Sequence, residues 1–516
     1  MSIFVAAIWA NFTALTAGIV LRIRKVKTKS GAVAIQVVLY RGHLSEIISH
    51  VGSGATPAAI NALVRRAQDF ISEFSQQAQL FEPETANFLD VSSAEVLGVS
   101  HDFCYRFLNE CIKECGLNLL SGLMLDMAII RLIEPASKLR SLYLLNKYFG
   151  VRYSERIYRK IPKLLREKVI VEQVAFKCAT EVLKEDCYFI LYDVTTLYFE
   201  THKTDDLRIP GFSKDDKSKQ PQIVVGLLAT RSGFPLAHQV FPGNTFEGKT
   251  MLPLLEAFLS KYNRSKPIVI ADAAMLSEQN IEELKKRNIS YIVAARLANA
   301  NRGLIQQISS TLERQNGAIC RVSSMHGDLI CSFAQARYRK QYRELKDQLK
   351  KAEEILSGKR SEKRTKYLTA RSKKLSLNTD LVHKNELLLG IKGFCTNIPE
   401  SEMPNQEIID RYGDLWRIEQ CFRMTKSDLQ TRPIFHRQEQ AIEAHVLICF
   451  VALIIEKYLE LTTGMSLRSI KDLLFGVTET QVQDRTNQQI HIFKSPTHEI
   501  MKTRLGDLIN RWGLPH

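Results

Sequence analysis

Three strand-like runs followed by two helix–strand pairs, all between residues 187 and 295, constrain this chain more than any other feature. CYFILYDVTTLYF is a buried strand that passes into alternation, and PQIVVGLLAT and PLAHQVFPG follow it, joined by the turn RSGF. Asn244, with Glu247 three residues on, marks a helix start for KTMLPLLEAFLSKY. PIVIAD is then a strand ending in an acid, EQNIEELKKRN a helix, and ISYIVAA another strand. Hairpin-linked strands pair antiparallel and helix-linked strands pair parallel, so a mixed α/β sheet is expected.

On this reading Asp193 ends the first strand and Asp272 the fourth, and the two carboxylates can meet at neighbouring strand ends. Two acids brought together without a base repel each other unless a metal neutralises them. A third acid is needed to hold two hard cations. ELLLGIKGFCTNI resumes a strand, and NQEIIDRYGDLWRIEQCFRMTKSDL reads as one long amphipathic helix carrying Glu419. Tyr412, Glu419 and Lys426 are spaced by seven on one stripe of it, with Arg423 on the next turn. A salt bridge to Arg423 would account for Glu419 alone. Together with the two strand-end acids, the stripe makes sense if it meets both metal and phosphate. Ligation by oxygen alone points to Mg²⁺, with Mn²⁺ able to substitute, rather than to zinc.

The charge agrees with a polyanionic partner. Lys and Arg number 71 against 55 Asp and Glu, a net +16 in 516 residues. Between Arg337 and Lys374 there are 15 Lys/Arg and 5 Asp/Glu, so +10 of that excess falls within one segment. It reads either as a solvated charge run or as an arm that tracks phosphates. The ten cysteines include no CxxC pair, and Cys104, Cys111 and Cys115 recur at helical intervals. They read as core thiols, not as a zinc site or disulfides.

The remaining segments set the domain plan. Residues 1–20 form an apolar leader, uncharged from Ile3 to Leu21 and followed by a basic run. It has no basic n-region, and Asn11, Thr13 and Thr16 interrupt it, so a non-native leader from an upstream-extended reading frame is expected, not a membrane anchor. Residues 21–88 are a β-rich segment (VLRIRKV, AVAIQVVLY, LSEIISHV) with a helix capped by Thr56 and begun by Pro57, then the linker LFEPETANFLDVSS. Residues 89–185 are helical. LLSGLMLDMAIIRLIE stops at Pro135, Ser137 caps KLRSLYLLNKYF, and YSERIYRKIPKLLREK interleaves cations with tyrosine. Such a region suits DNA binding, and it equally describes any small helical domain. Residues 186–300 and 385–460 make the catalytic domain, 301–384 a basic insertion, and 461–516 a tail. AIEAHVLICFVALIIEKYLEL is apolar but carries Glu443, His445 and Glu456, so it reads as a core helix.

In YDVTTLYFE, GFSKDDKSKQPQIVVGLL, FPGNTFEGKT, VIADAAMLS and YGDLWRIEQCFRMTKSDLQTRPIFH the chain resembles the DDE transposases of bacterial insertion sequences, in the superfamily founded on insertion sequence four. The resemblance runs over roughly residues 185–450. It implies an RNase H-like fold with the first acid on strand one, the second after strand four and a glutamate on a later helix. It further implies an enzyme that cuts the ends of its own element and joins the 3′ ends to target DNA, with inverted-repeat DNA and a second subunit as partners, in a bacterial cytoplasm at the nucleoid. The late-helix signature YxxRxxxExxxxxxK is met by Tyr412, Glu419 and Lys426, but Leu415 holds the arginine position, and Arg417 and Arg423 are out of register. A repair or structure-specific nuclease of the same fold, or a decayed copy that only binds DNA, are the rival readings.

Several other residues carry weaker signals. Lys214 is a candidate DNA contact in a loop with Asp215 and Asp216, and Arg432 a candidate phosphate contact before Pro433. Asn244 is expected to cap its helix. His436 and His445 lack metal-ligand spacing, and Thr195 and Thr196 are strand residues beside the acid.

Overall fold

The computed structural model describes residues 20–41, 44–80, 94–212, 220–262, 267–275, 277–359, 361, 366–371, 374–485, 488–496 and 499–514. The leader to residue 19, most of the expected linker, and Lys214, Asp215 and Asp216 lie outside the described residues. The chain divides into two compact units, residues 1–94 with 484–487, and residues 95–483 with 488–516.

In the first unit Val20–Lys27, Val33–Arg41 and Leu44–Gly54 form an antiparallel sheet in that order. Alternation along the middle strand turns Ile35 and Val37 toward helix Pro57–Leu80, where Ala67 closes a small core. Thr56 Oγ1 accepts from Ala59 N at 3.3 Å, as expected of a cap ahead of Pro57.

The second unit is built on one mixed sheet. Its strands are β1 (Phe189–Tyr198), β2 (Pro221–Thr230), β3 (Pro235–Pro242), β4 (Ile268–Ala271), β5 (Ser290–Ala295), β6 (Ile319–Ser324), β7 (Gly327–Phe333) and β8 (Ile391–Thr396). They lie in the order β6–β7–β8–β5–β4–β1–β2, with β3 and the two-residue strand Ile209–Pro210 also paired to β2. β1, β2 and β3 pair antiparallel through their hairpins, whereas β4 pairs parallel with both β1 and β5. The inner run β3–β2–β1–β4–β5 is the mixed α/β sheet that the hairpin and helix connections predict. β6 and β7, from the expected insertion, extend this same sheet by pairing onto β8.

Helix α1 (Asn405–Gly413), helix α2 (Trp416–Ser427) and helix α3 (Glu439–Thr463) complete the catalytic region. α3 is buried along most of its length, from Ala441 to Leu459. Its Ile442 and Val446 pack on Leu197, Ile223 and Val225 of the sheet. Toward the chain's start, residues 102–182 are helices joined by short non-helical links, and the side chains of helix Gly122–Ile133 share one large hydrophobic core with the sheet and α3. Ser137 caps helix Lys138–Phe149 as expected, its side chain accepting from Arg140 N. YSERIYRKIPKLLREK, however, forms 3₁₀ turns from Glu155 to Glu167, with Pro162 inside them. Pro162 has no amide hydrogen to give a regular α-helix.

Two further expectations need correction. Ala94–Ser100 is a strand, not part of a helical segment, and joins Glu479–Asp484 and Ile490–Lys494 in a three-stranded sheet. Asn244 is not a helix cap: the 3₁₀ turn Glu247–Lys249, with Phe246 at its cap position, precedes an α-helix that starts at Met251. All ten cysteines are free and buried, as core thiols should be. Among the described residues no helix is long and apolar enough to cross a membrane.

Candidate active site

Asp193 does not end its strand, since β1 continues to Tyr198. The reason is a difference in partner length. On one side β2 follows β1 as far as Tyr198, opposite Gln222, whereas on the other β4 stops at Ala271, which pairs with Tyr192. Asp193 and Asp272 are each the next residue after that last parallel pair. They are therefore neighbours at the point where the β1–β4 ladder opens. Each carboxylate is oriented by the amide that follows it: Asp193 Oδ1 accepts from Val194 N at 2.8 Å, and Asp272 Oδ1 from Ala273 N at 2.6 Å.

The long helix expected around Glu419 is two helices. After Gly413 the backbone tightens, with Leu415 N donating to Tyr412 O at 3.1 Å and Arg417 N to Asp414 O at 3.0 Å. Gly413 and Asp414 are weak helix formers, and Asp414 is engaged by Arg231 Nε at 2.8 Å. Tyr412 thus closes α1, while Glu419, Arg423 and Lys426 stand on α2. The break does not scatter the stripe. The Tyr412 hydroxyl lies close enough to Asp272, Glu419 and Asp193 to feel the charges of all three. Burial first, and then these three acids, push its phenol well above the ordinary tyrosine range.

Asp193, Thr195, Glu419, Phe422, Arg423, Lys426, Ser427 and Arg432 line one open cleft. The Arg432 guanidinium also lies 5.1 Å over the Tyr198 ring at the far end of β1. Four of the expected residues therefore ring the acids: Tyr412, Arg423, Lys426 and Arg432. Arg417 does not join them. It turns to Asp414, at 3.7 Å, and stacks on Trp416. Leu415, at the family's arginine position, is only 4% exposed and belongs to the main core.

Two cations here escaped the sequence reading. Lys392 on β8 lies near Asp272 and Glu419, with Arg337 beside it, and its ammonium is 4.4 Å from the Tyr412 ring centroid. Burial and then Arg337 hold the Lys392 pKa below the ordinary lysine value, against the opposing pull of the two acids. The available signal was a lone lysine inside the apolar run LLLGIKGFC. Arg337 reads in the sequence only as the start of the basic segment, yet it occupies the first turn of helix Gln335–Leu356.

The donor set suits a hard cation, because the acids near Tyr412 offer only oxygen and the cysteines are buried elsewhere in the core. As placed, though, no group of three or more His, Cys, Asp and Glu among the described residues stands close enough to hold an ion.

Comparison with known proteins follows the same lines. The family model described as transposase DDE domain matches residues 187–455, more than half of the chain, and the protein belongs to that family. No curated protein sequence matches the chain. Among solved structures, the cryo-EM structure of the piggyBac transposase synaptic complex with hairpin DNA aligns at 10% identity, over 81% of this chain and 86% of that one. Its TM-score is 0.36, too low to carry an argument.

Proposed function

We propose that this DDE transposase serves a bacterial insertion sequence, cutting DNA at the element's ends and joining the freed 3′ ends to target DNA. The observation that supports this most is that Asp193, Asp272 and Glu419 all act on one phenol, Tyr412, beside a cleft edged by Arg423, Lys426 and Arg432. Acids grouped among cations suit a phosphodiester substrate, whose charge needs neutralising on every side. Asp193, Asp272 and Glu419 would hold magnesium, with manganese able to substitute. When bound, two such ions would neutralise the phosphodiester and activate the attacking oxygen.

The protein's own residues would do the positioning. Arg423, Lys426 and Arg432 hold the phosphates on either side of the cut, and the Tyr412 hydroxyl stands close to the Asp272 carboxylate. Arg423 lines the cleft and supplies the cation that Leu415 does not. Terminal inverted repeats and target DNA are the partners, a homodimer would pair the two ends, and the site of action is the nucleoid in the cytoplasm. The experiment is direct: Asp193→Ala and Glu419→Ala are assayed on element-end duplex in Mg²⁺ and in Mn²⁺. Both should lose cutting by at least about a thousandfold. A well-folded variant that keeps a tenth of wild-type activity would sink the assignment.

A further inference from the structure

Next to the catalytic cleft, on the far side of Arg432, lies a second cavity of about 190 Å³. Arg131, Lys138, Arg432, His436 and His445 line it, along with Tyr158 and Phe435, and no Asp or Glu does. Three of these basic residues are deeply buried: Arg131 is 5% exposed, Lys138 3% and His445 5%. Buried charges are ordinarily paired, because an unpaired one costs several kcal/mol.

These three side chains have few partners. Arg131 Nη2 donates to the Ala136 carbonyl at 2.9 Å, and His445 Nε2 is 2.9 Å from the Thr431 carbonyl, while His445 Nδ1 is buried without a hydrogen bond. Lys138 forms neither a hydrogen bond nor an ion pair among the described residues. The mutual repulsion registers in their titration. Burial and then Arg131 bring Lys138 down to about 7, and burial followed by Lys138 and Arg131 brings His436 down to about 4.

Arg131, Lys138 and Arg432, around one cavity that no acid lines, call for an anion, while burial favours the neutral form of both histidines. Ligand pockets for whole small molecules run to roughly 300–1,000 Å³, so this cavity takes a single anionic group. Arg432 faces both the cavity and the acidic cleft. A DNA strand with its scissile phosphate at Asp193 and Glu419 that ran past Arg432 would bring a neighbouring phosphate to the cavity mouth.

We propose that Arg131 and Lys138 form a buried phosphate site that seats a backbone phosphate of the DNA strand being cut. The helical region before the catalytic domain then contributes directly to substrate register. Which molecule owns the phosphate rests on the DNA-cutting reading above; the anion site itself does not.

The test uses the full-length protein and two probes. Inorganic phosphate, followed by thermal unfolding, should raise the wild-type Tm by about 2–4 °C near saturation. Lys138→Met, which keeps the volume and removes the charge, should fold and lose most of that response; Arg131→Met should behave likewise. Duplex DNA binding, followed against salt, should show a slope shallower by about 0.9 in Lys138→Met, as when one phosphate goes without its cation. An unchanged phosphate response in Lys138→Met would overturn the anion site. A lost response with an unchanged DNA slope would overturn the DNA assignment and leave a free-anion site. Failure of wild type to cut DNA would leave the phosphate result standing, so the two readings fail separately.

Discussion

The Lys392 ammonium lies 4.4 Å from the centre of the Tyr412 ring, over the phenol on which all three carboxylates act. A β8 cation therefore already offsets part of the negative charge that a metal would meet. Two like charges about 6 Å apart repel by roughly 1–3 kcal/mol at the effective dielectric of a partly buried site. Lys392→Met should accordingly lower the Mg²⁺ concentration for half-maximal cutting by about fivefold to a hundredfold. The check is a Mg²⁺ titration of initial cutting rates for both proteins. An unchanged or raised half-maximal concentration would show that Lys392 serves the DNA and not the acids.

Glu456, on the buried helix α3, sets a pH dependence of stability. Burial, then Asp428 and Glu460, push its carboxyl up to about 8, against the weaker help of Lys457, and both of its oxygens are shut off from solvent. In the folded state the proton is held up to about pH 8, whereas the unfolded chain releases it near 4.5. Stability from this group is complete below the unfolded value, declines as pH rises through that window, and is level above it. Glu456→Gln should be nearly neutral at pH 5 and stabilising by a few kcal/mol at pH 9. Denaturant unfolding at the two pH values measures the gap. A gap that does not widen would mean Glu456 is solvated.

The basic segment makes a quantitative prediction about DNA binding. Its helix Gln335–Leu356 buries only Leu345, Ala352 and Ile355, so most of its cations face outward. Replacing Arg339, Lys340, Arg343, Lys350 and Lys351 by Gln should flatten the slope of log affinity against log salt by about 0.9 for each phosphate that these cations neutralise. The fold should survive, since these side chains lie off the buried stripe. A slope identical to wild type would reduce the segment to a solvated helix.

Much of the catalytic region was legible in the sequence because it depends on local pattern. Period-two and period-three-to-four alternation gave the strand and helix order, and RSGF gave the β2–β3 hairpin. What alternation could not give was the length of each pairing partner. β1 reads as ending at Asp193, yet Val194–Tyr198 find partners on β2 after β4 has stopped. The break after Gly413 escaped for a related reason, since the heptad spacing of Tyr412, Glu419 and Lys426 holds across a tight turn as well as along one helix. Lys392 and Arg131 were illegible in their roles because each is isolated in sequence among apolar residues, and Lys138 because it reads as an ordinary first-turn residue of a helix. Only folding brings Lys138 beside Arg131 and His445, or Lys392 above Tyr412.

Leu415 offers a last test, of whether the family's arginine can be restored. Its side chain is 4% exposed and packed in the core shared by the sheet and helices, at the turn between α1 and α2. Leu415→Arg would put a guanidinium among apolar neighbours, at a cost of several kcal/mol unless it found a buried partner. Turning outward to the cleft would require repacking the turn that keeps Tyr412 and Glu419 together. The variant should therefore be destabilised by about 3 kcal/mol or more and cut DNA no faster than wild type. Arg423→Gln, at an exposed position in the cleft, should keep its stability and lose phosphate binding, seen as a raised KM for DNA. Unfolding curves and cutting kinetics on the two variants distinguish the cases. A stable Leu415→Arg protein with faster cutting would show that the cleft lacks the cation here assigned to Arg423.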